Sequence, residues 1–215
     1  MVSRDQIPDM EEWHIERLAA HSVSGRWTPV MLYRDDRFIG IGTSFRTSRG
    51  LERFITVGHI FDKPGRWSYR RLRPLSQHRY PIVRAGPIPG LEGYDVMICA
   101  PGEGSYPVLP RLSRFQIGVR HEGEAHGSRL ERTVSITSLI TGEQVECFAL
   151  VKKDGTEHML AAIPTIEGES GTGFVENSDK VLYVLRGTFL NAGQLEQFLP
   201  SKATEVGVFI RLIVS

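Results

Sequence analysis

The sequence predicts an all-β protein made of two antiparallel six-stranded β-barrels, with one short helix at the N-terminus. The 215 residues include 22 glycines and 12 prolines, and short apolar runs lie between these turn-forming residues. A chain of this length with 40% hydrophobic residues can bury a sizeable core. Residues 100–107 are rich in helix and strand breakers, and they separate two series of six or seven short strands.

The predicted elements begin with one helix. Residues 9–20 carry apolar side chains at helical spacing behind Asp9, which can cap the helix. Further on, short runs rich in β-branched and aromatic residues predict strands, with a hairpin turn at Asp35 and Asp36. The predicted strands cover 28–34, 37–45, 52–58, 67–72, 80–84, 94–99, 115–120, 131–138, 144–151, 157–163, 171–176, 180–186 and 205–214. A second short helix is predicted at 191–199.

These elements divide the chain into four parts. Residues 1–26 are predicted to form an N-terminal helical extension, and residues 27–104 an N-terminal β-barrel. Residues 105–114 are a predicted linker, and residues 115–215 a C-terminal β-barrel.

Composition argues against several classes of protein. The formal net charge is +1, so no overall field draws the chain to nucleic acid or to a membrane surface. No segment approaches the roughly 18 consecutive apolar residues of a membrane span, and no signal peptide is recognised. Cys99 and Cys147 are the only cysteines, which favours a reducing, cytoplasmic compartment. Cys99 lies in an apolar strand and is interpreted as a core residue, with a single disulfide as the alternative.

The segment Gly168-Glu169-Ser170-Gly171 is the strongest functional signal. It follows the apolar run 161–163 and places a serine among small residues, which is typical of a sharp turn that presents one hydroxyl. Gly168 can adopt backbone angles closed to other residues and bring its N–H beside that of Ser170. Two convergent N–H donors next to a nucleophile form an oxyanion hole, so Gly168 and Ser170 are the predicted donors. The alternative is an ordinary Gly/Ser turn between two strands.

A serine hydroxyl needs a base to remove its proton, and the base needs a carboxylate to orient it. His59 follows an apolar, β-branched run and is the predicted base. Asp95 stands at the head of another apolar run and is the predicted orienting carboxylate. His158 lies at the last predicted strand before the serine, and it is the reserve candidate for the base.

Three local motifs therefore occur in the order His, Asp, Ser. They are the glycine-rich strand 38–45 with Ile55-Thr-Val-Gly-His59, then Tyr94-Asp95-Val96, then Gly168-Glu-Ser170-Gly171. Together they resemble the early strand and the histidine, aspartate and nucleophile segments of the chymotrypsin-like serine peptidases, over residues 27–215. The resemblance implies an active site in the cleft between two barrels, with the histidine and aspartate on the first barrel and the serine on the second.

Short length, few cysteines and the form Thr165-x-x-Gly168-x-Ser170-Gly most resemble the compact polyprotein-processing serine proteases of positive-strand RNA viruses. Short bacterial or phage-encoded members of the same clan are the alternative. The resemblance implies no cofactor, a protein or polyprotein substrate and, for a viral chain, a location in the host cytoplasm. Glu169 stands where secreted members carry the aspartate that receives a newly cut N-terminus, so activation by N-terminal cleavage is not expected.

The same resemblance assigns a substrate pocket. Thr165 is expected to line the primary pocket, and the strand 181–187 to form another wall with Leu185, Arg186 and Gly187. Because no aspartate precedes the serine by five or six residues, a preference for Lys or Arg is not expected. Leu185 and Arg186 replace the histidine of acid-specific relatives, so the preferred side chain stays open. Arg186 either pairs with an acidic substrate residue or faces solvent.

An arginine-rich segment lies between Lys63 and Glu92 and contains no acidic residue, but it contains several aromatic residues. Such a pattern could bind RNA through phosphates and base stacking, but it is more often a solvated face of strands and loops. Its arginines are Arg66, Arg70, Arg71, Arg73, Arg79 and Arg84. No metal site is predicted, because even His121 and His126 lack the spacing of zinc ligands.

The sequence thus predicts a serine endopeptidase that uses Ser170, His59 and Asp95 to cleave specific peptide bonds. A second hypothesis is a catalytically weak or inactive protease-fold protein that binds RNA or protein through the arginine-rich segment. A third is an esterase-type hydrolase, against which the His-Asp-Ser order argues.

Overall fold

In the computed structural model, the described residues are 10–18, 25–89, 91, 94–102, 108–109, 129–151, 157–161, 163, 168–177, 180–190 and 205–214. They form two closed antiparallel six-stranded β-barrels, preceded by one short helix. The all-β fold predicted from the sequence is therefore confirmed.

The helix α1 covers Met10–Glu16. The first barrel consists of β1 (Thr28–Arg34), β2 (Arg37–Arg46), β3 (Glu52–Thr56), β4 (Gly65–Arg71), β5 (Tyr80–Pro87) and β6 (Met97–Pro101), with a 3₁₀ helix at Gly58–Phe61. A two-residue strand, β7 (Val108–Leu109), follows it. The second barrel consists of β8 (Arg129–Ser138), β9 (Gln144–Val151), β10 (Glu157–Ala161), β11 (Gly173–Val175), β12 (Val181–Leu190) and β13 (Glu205–Ile213).

The first barrel has the strand order β1-β2-β3-β6-β5-β4, and it closes because β1 also pairs with β4. The β1–β2 hairpin turns at Asp35 and Asp36, whose φ angles are 47° and 67°. Two consecutive positive φ angles define a type I′ turn, whose twist matches that of the flanking strands. The Asp35 carboxylate accepts the backbone N–H of Arg66 at 3.0 Å and so ties this turn to the start of β4.

The strand β7 lies inside the predicted linker 105–114 and was not predicted. It pairs with β4, with Leu109 opposite Gly65. Two residues are too few to show the period-2 alternation by which strands are recognised in a sequence. The linker therefore runs beside the first barrel at this point.

The second barrel has the order β10-β13-β12-β11-β8-β9, and it closes through β9 and β10. Its longest ladder joins β12 to β13, from Val181 opposite Ile213 to Leu190 opposite Glu205. The register shifts between Leu185 and Gly187, which marks a β-bulge.

Side chains on both faces of β12 are buried. Val181, Tyr183 and Leu185 face the interior of the second barrel. The alternate residues Leu182 and Val184 belong to a different apolar cluster, which includes the core of the first barrel. Because the two barrels pack against each other along this face, the strand reads as a continuous apolar run rather than an alternating one.

Most predicted strand boundaries agree with the structure within a few residues, and those of β1 and β9 agree at both ends. The helix α1 is shorter than predicted and ends at Glu16, whereas β12 continues beyond residue 186 to Leu190. The predicted strand 115–120 and the predicted helix 191–199 lie outside the described residues.

Cys99 and Cys147 are both buried and both free, so the core interpretation of Cys99 is confirmed. In the part of the chain that the structure describes, no helix is long and apolar enough to cross a membrane. Within the same residues, no three histidine, cysteine, aspartate or glutamate side chains converge as metal ligands would.

We expect Leu182→Ala to weaken the packing of one barrel on the other. Leu182 is fully buried in the cluster that joins the barrels, so its truncation should lower the free energy of unfolding by about 2–5 kcal/mol. Urea unfolding measures this loss. Leu75→Ala is the matched control, because Leu75 is 49% exposed and its loss should cost less than about 0.5 kcal/mol. Equal losses in the two variants would contradict the assigned interface.

Candidate active site

His59 lies where β3 ends and a single 3₁₀ turn begins. Val57 is still extended, and the turn then covers Gly58–Phe61 with the neighbouring Ile60 and Phe61 buried in the first barrel. These apolar neighbours anchor the turn, while the His59 side chain remains 30% exposed. The apolar run before His59 therefore places an accessible imidazole at the rim of the barrel.

Asp95 holds this histidine through two hydrogen bonds. Its Oδ2 lies 2.6 Å from Nδ1 of His59, and its Oδ1 accepts the backbone N–H of His59 at 2.7 Å. Asp95 is itself only 8% exposed and directly precedes the buried Val96 and Met97. One carboxylate therefore fixes both the main chain and the ring of His59.

Ser170 lies in a tight turn between two glycines of unusual conformation. Gly168 has a φ angle of 94° and Gly171 one of 93°, a region that L-amino acids with side chains rarely adopt. The turn is closed by Thr172, whose N–H and hydroxyl both donate to the carbonyl oxygen of Glu169, at 3.0 and 2.6 Å. The positive φ angle expected at Gly168 is thus present.

The backbone of this turn lies directly against the first barrel. The N–H of Ile41 on β2 donates to the Ser170 carbonyl at 3.4 Å. A Cβ added to Gly40 would lie 3.5 Å from that carbonyl oxygen and 3.5 Å from Cγ2 of Ile60, the residue that follows His59. Those two atoms are thus no further apart than twice this distance, so the serine turn and the histidine turn are neighbours.

Gly171 makes the closest approach between the barrels. A Cβ at this position would lie 2.0 Å from the Ile41 carbonyl oxygen and 2.7 Å from Oγ1 of Thr56, so no side chain fits. Thr56 donates to the same Ile41 carbonyl at 2.8 Å, three residues before His59. No sequence pattern marks Thr56 or Ile41 as part of this contact, although Thr56 lies within the motif that ends at His59.

The structure thus brings the turns that carry His59, Asp95 and Ser170 to one place between the barrels. Among the described residues, it shows no hydrogen bond between the Ser170 hydroxyl and His59. Thr165 lies outside the described residues, so its predicted pocket role stays a prediction. The side chain of His158 is also outside the described set.

The strand β12 lies beside the serine turn at Leu185. The N–H of Leu185 donates to the Thr172 carbonyl at 3.0 Å, and its own carbonyl accepts the N–H of Gly171 at 2.7 Å. After Leu185, no described strand other than β13 pairs with β12. Arg186 is the extra residue of the β-bulge, and it is 8% exposed. At the next residue, Gly187, an added Cβ would meet no atom within 4 Å. The Leu185 side chain itself is buried in the second barrel.

The helix α1 packs behind the serine turn. Nη1 of Arg17 lies 2.9 Å from Oε1 of Glu169, the residue before the serine. A cavity of about 120 Å³ lies between α1 and the second barrel, lined among others by His14, Arg17 and Glu169. His14 is 1% exposed, and its burial together with the charge of Arg17 lowers its pKa to about 4, although the Gly168 backbone opposes the change. The spacing of His14 and Arg17 on one helical face is the only sequence signal for these contacts.

Five of the six arginines predicted to contact RNA have partners inside the protein. Arg66 pairs with Asp35, Arg70 with Glu11, Arg71 with Glu52 and Arg79 with Asp36, while Arg73 donates to the Ile140 carbonyl. Arg84 is exposed. Because these guanidinium groups hold turns and α1 to the first barrel, the structure gives no support to the predicted RNA binding.

Gly171→Ala is expected to destabilise the protein. The added methyl group must adopt a positive φ angle and displace the Ile41 carbonyl, which together should cost roughly 2–5 kcal/mol of unfolding free energy. The control is Gly86→Ala on β5, where a Cβ meets no atom within 4 Å. Urea unfolding compares the two variants, and a Gly171→Ala protein as stable as its control would rule out the close approach.

The buried His14 should make stability depend on pH. In the unfolded chain His14 binds a proton below about pH 6.5, whereas in the folded protein it does so only near pH 4. Its contribution is therefore complete above pH 6.5 and is lost as the pH falls to 4, by roughly 3 kcal/mol in total.

The pH effect is measured by urea unfolding of the wild type and His14→Gln at several pH values from 7 to 4. The wild type should lose more stability over this range than the variant. His78→Gln serves as the control, because His78 lies on an exposed loop. Parallel losses in wild type and His14→Gln would show that His14 is not the titrating group.

No family model and no curated protein sequence matches the chain. Among solved structures, a thermostable serine protease, AL20, from an extremophilic microorganism has a TM-score of 0.46 and 9% identity, over 88% of this chain and 92% of that one. Kallikrein-related peptidase 10, in a complex with Zn²⁺, has a TM-score of 0.45 and 12% identity, over 90% and 93%. The HtrA-type protease AlgW, with a decapeptide, has a TM-score of 0.42 and 11% identity, over 92% and 62%. Similarities this weak do not bear on function, for which the geometry of the site is the evidence.

Proposed function

We propose that the protein is a serine endopeptidase in which Ser170 is the nucleophile, His59 the general base and Asp95 the residue that orients it. The observation that carries the proposal is the double contact of Asp95 with His59, at 2.6 Å to the ring and 2.7 Å to the main chain. A carboxylate that accepts the Nδ1 proton leaves Nε2 of the ring unprotonated and ready to take a proton. A partly exposed histidine with only a structural role can bond to water and does not require a buried carboxylate on both its ring and its main chain.

The proposed nucleophile is Ser170 because of the turn on which it lies. Its carbonyl accepts a hydrogen bond from the N–H of Ile41 on β2, and this contact holds the serine beside the histidine turn. The hydrogen bond from Ser170 to His59 is expected to form when substrate fills the site, since catalytic hydrogen bonds often tighten only then. The N–H groups of Gly168 and Ser170 are the proposed oxyanion donors, each typically worth about 3 kcal/mol in the transition state.

The proposed reaction has two stages. Ser170 Oγ forms a bond to the peptide carbonyl carbon as His59 Nε2 takes the hydroxyl proton, and the oxyanion accepts hydrogen bonds from the two N–H groups. The C–N bond then breaks as His59 returns the proton to the leaving amine, which leaves an acyl-enzyme. Water, deprotonated by His59, then attacks the ester carbonyl carbon. The bond from that carbon to Ser170 Oγ breaks, His59 returns the proton to Oγ, and the carboxylic acid product leaves. Asp95 stabilises the imidazolium in both stages.

Substrate backbone is proposed to pair, as an added β-strand, with the edge of β12 that lies opposite β13. Beyond Leu185 no described strand pairs with that edge, and a Cβ at Gly187 would meet no atom within 4 Å, which supports this position. Arg186 and Gly187 are then the proposed substrate-binding residues of this strand, together with Thr165. Leu185 was predicted with them, but its N–H and carbonyl already bond to the serine turn and its side chain is buried in the second barrel, so it supports the site from behind.

The proposed substrate is a polyprotein or another specific protein, and the proposed compartment is the cytoplasm. The free thiols of Cys99 and Cys147 suit a reducing compartment. The viral polyprotein-processing role rests on the motif resemblance alone.

Cleavage of a peptide library, read by mass spectrometry, tests the proposal. Wild type should cut at a restricted set of sites, and Ser170→Ala should cut roughly 10⁶-fold more slowly, because removal of a triad serine has an effect of this size. Ser48→Ala, in an exposed turn, is the matched serine control and should behave as wild type. Full activity in Ser170→Ala would sink the mechanism.

Two further measurements separate the roles. A fluorophosphonate probe should label Ser170 in the wild type and nothing in Ser170→Ala. Asp95→Asn should lower kcat by roughly 10⁴-fold, because an amide holds the wrong tautomer of His59. A protein that neither cleaves peptides nor reacts with the probe would point to a binding protein with this fold.

A further inference from the structure

The helix α1 joins the two barrels through contacts with each. On the first barrel, Oε1 of Glu11 accepts the hydroxyl proton of Tyr33 at 2.5 Å and a guanidinium proton of Arg70 at 2.8 Å. Ile15 and Leu18 pack against an apolar cluster that contains residues of both barrels, Met31, Tyr33, Ile41, Leu72 and Ile140. The position of α1 is therefore fixed independently of the serine turn.

Arg17, one residue beyond α1, reaches from this anchored helix to the serine turn. Its guanidinium contacts the Glu169 carboxylate at 2.9 Å and stacks over the Trp13 ring at 3.9 Å. A second carboxylate, on Glu143, lies 3.9 Å away. The Trp13 ring and the two carboxylates hold the guanidinium in one place, which limits the entropy lost when it binds Glu169.

Glu169 lies between the two residues, Gly168 and Ser170, whose N–H groups are the proposed oxyanion donors. Its carbonyl is held by two hydrogen bonds from Thr172. Its side chain is only 15% exposed, so the carboxylate has lost most of its water and depends on a cation. Arg17 thus contacts the side chain of Glu169, while Thr172 holds its carbonyl.

We propose that Arg17 is a positioning residue for the proposed active site: by binding Glu169 from the N-terminal helix, it holds the peptide units on either side of Glu169 in the orientation that aims the N–H groups of Gly168 and Ser170 at the oxyanion. This inference rests on the proposed function. Glycines at positions 168 and 171 give the turn more backbone freedom than other residues would, so an external contact is needed to select one conformation. Arg17 acts on the turn through Glu169 and does not touch substrate.

Steady-state kinetics of Arg17→Gln on a peptide that the wild type cleaves tests the inference. We expect kcat to fall about tenfold or more while KM changes less than about threefold, since the oxyanion contact is made only in the transition state. Glu169→Gln should lose a similar factor, and the double variant should lose no more than either single one, because both remove the same contact. Arg17→Lys should recover part of kcat. A kcat for Arg17→Gln equal to that of wild type would overturn the inference.

The control is Arg71→Gln. Arg71 also pairs with a partly buried acid, Glu52, and also lies over an aromatic ring, that of Tyr80 at 4.8 Å, but its acid is next to neither the serine nor the histidine turn. It should keep kcat within about twofold of wild type, and an equal loss in both arginine variants would assign the effect to general destabilisation. Thermal unfolding of each variant shows whether lost stability accompanies the change in kcat.

Hydrogen exchange separates this inference from the proposed function. In Arg17→Gln, peptides covering residues 168–172 should exchange about tenfold faster, while peptides from β1 and β2 should not change. This readout needs no activity: an inert wild type would overturn the proposed function, whereas unchanged exchange at 168–172 would overturn the role of Arg17 even in an active enzyme.

Discussion

At Gly171 the two barrels come so close that a carbonyl oxygen of the first occupies the space of a side chain on the second. The Ile41 carbonyl lies 2.0 Å from where a Cβ would be, and it also accepts the Thr56 hydroxyl. Gly171 also donates its N–H to the carbonyl of Leu185, so β2, the serine turn and β12 meet at this point. The histidine turn follows Thr56 directly and the serine precedes Gly171, so the geometry of the candidate site depends on this approach.

Two carboxylates of the site, those of Asp95 and Glu169, each lie beside a basic side chain. On the solvent side, the Asp95 carboxylate holds His59 and leaves the ring partly exposed. Behind the serine turn, the Glu169 carboxylate is partly buried and paired with Arg17. Each carboxylate thus has a partner fixed by a neighbouring element, which is the condition under which a desolvated charge is tolerated.

Features of the fold and of the candidate site could be predicted from the sequence where the residues that determine them are neighbours in the chain. The acidic pair Asp35-Asp36 predicts its hairpin turn because aspartate tolerates positive φ angles. The apolar run of β12 predicts a strand, although not that its two faces serve two different barrels. The positive φ angle of Gly168 was expected from its spacing to the serine. By contrast, β7 is too short to carry a pattern, and nothing beside Arg17 in the sequence points to Glu169.

The arginine-rich segment shows how a local pattern misleads. It contains no acidic residue, so its charges look unbalanced, yet Glu11, Asp35, Asp36 and Glu52 reach it from other parts of the chain. Partners distant in sequence neutralise a patch that composition alone describes as basic. The number of charged residues in a segment therefore predicts its surface charge only where the fold brings no opposite charge close to it.

The all-β class, the two series of strands and the order of the candidate histidine, aspartate and serine follow from the amino-acid sequence, because strand periodicity, turn residues and short motifs are all local properties. Three features depend on the folded chain: Asp95 bonds both the ring and the main chain of His59, Gly171 cannot carry a side chain, and Arg17 reaches the serine turn from the end of α1. These contacts join residues 36 to 152 positions apart. Contacts of that range are set by the closure and docking of the barrels, which no local pattern encodes.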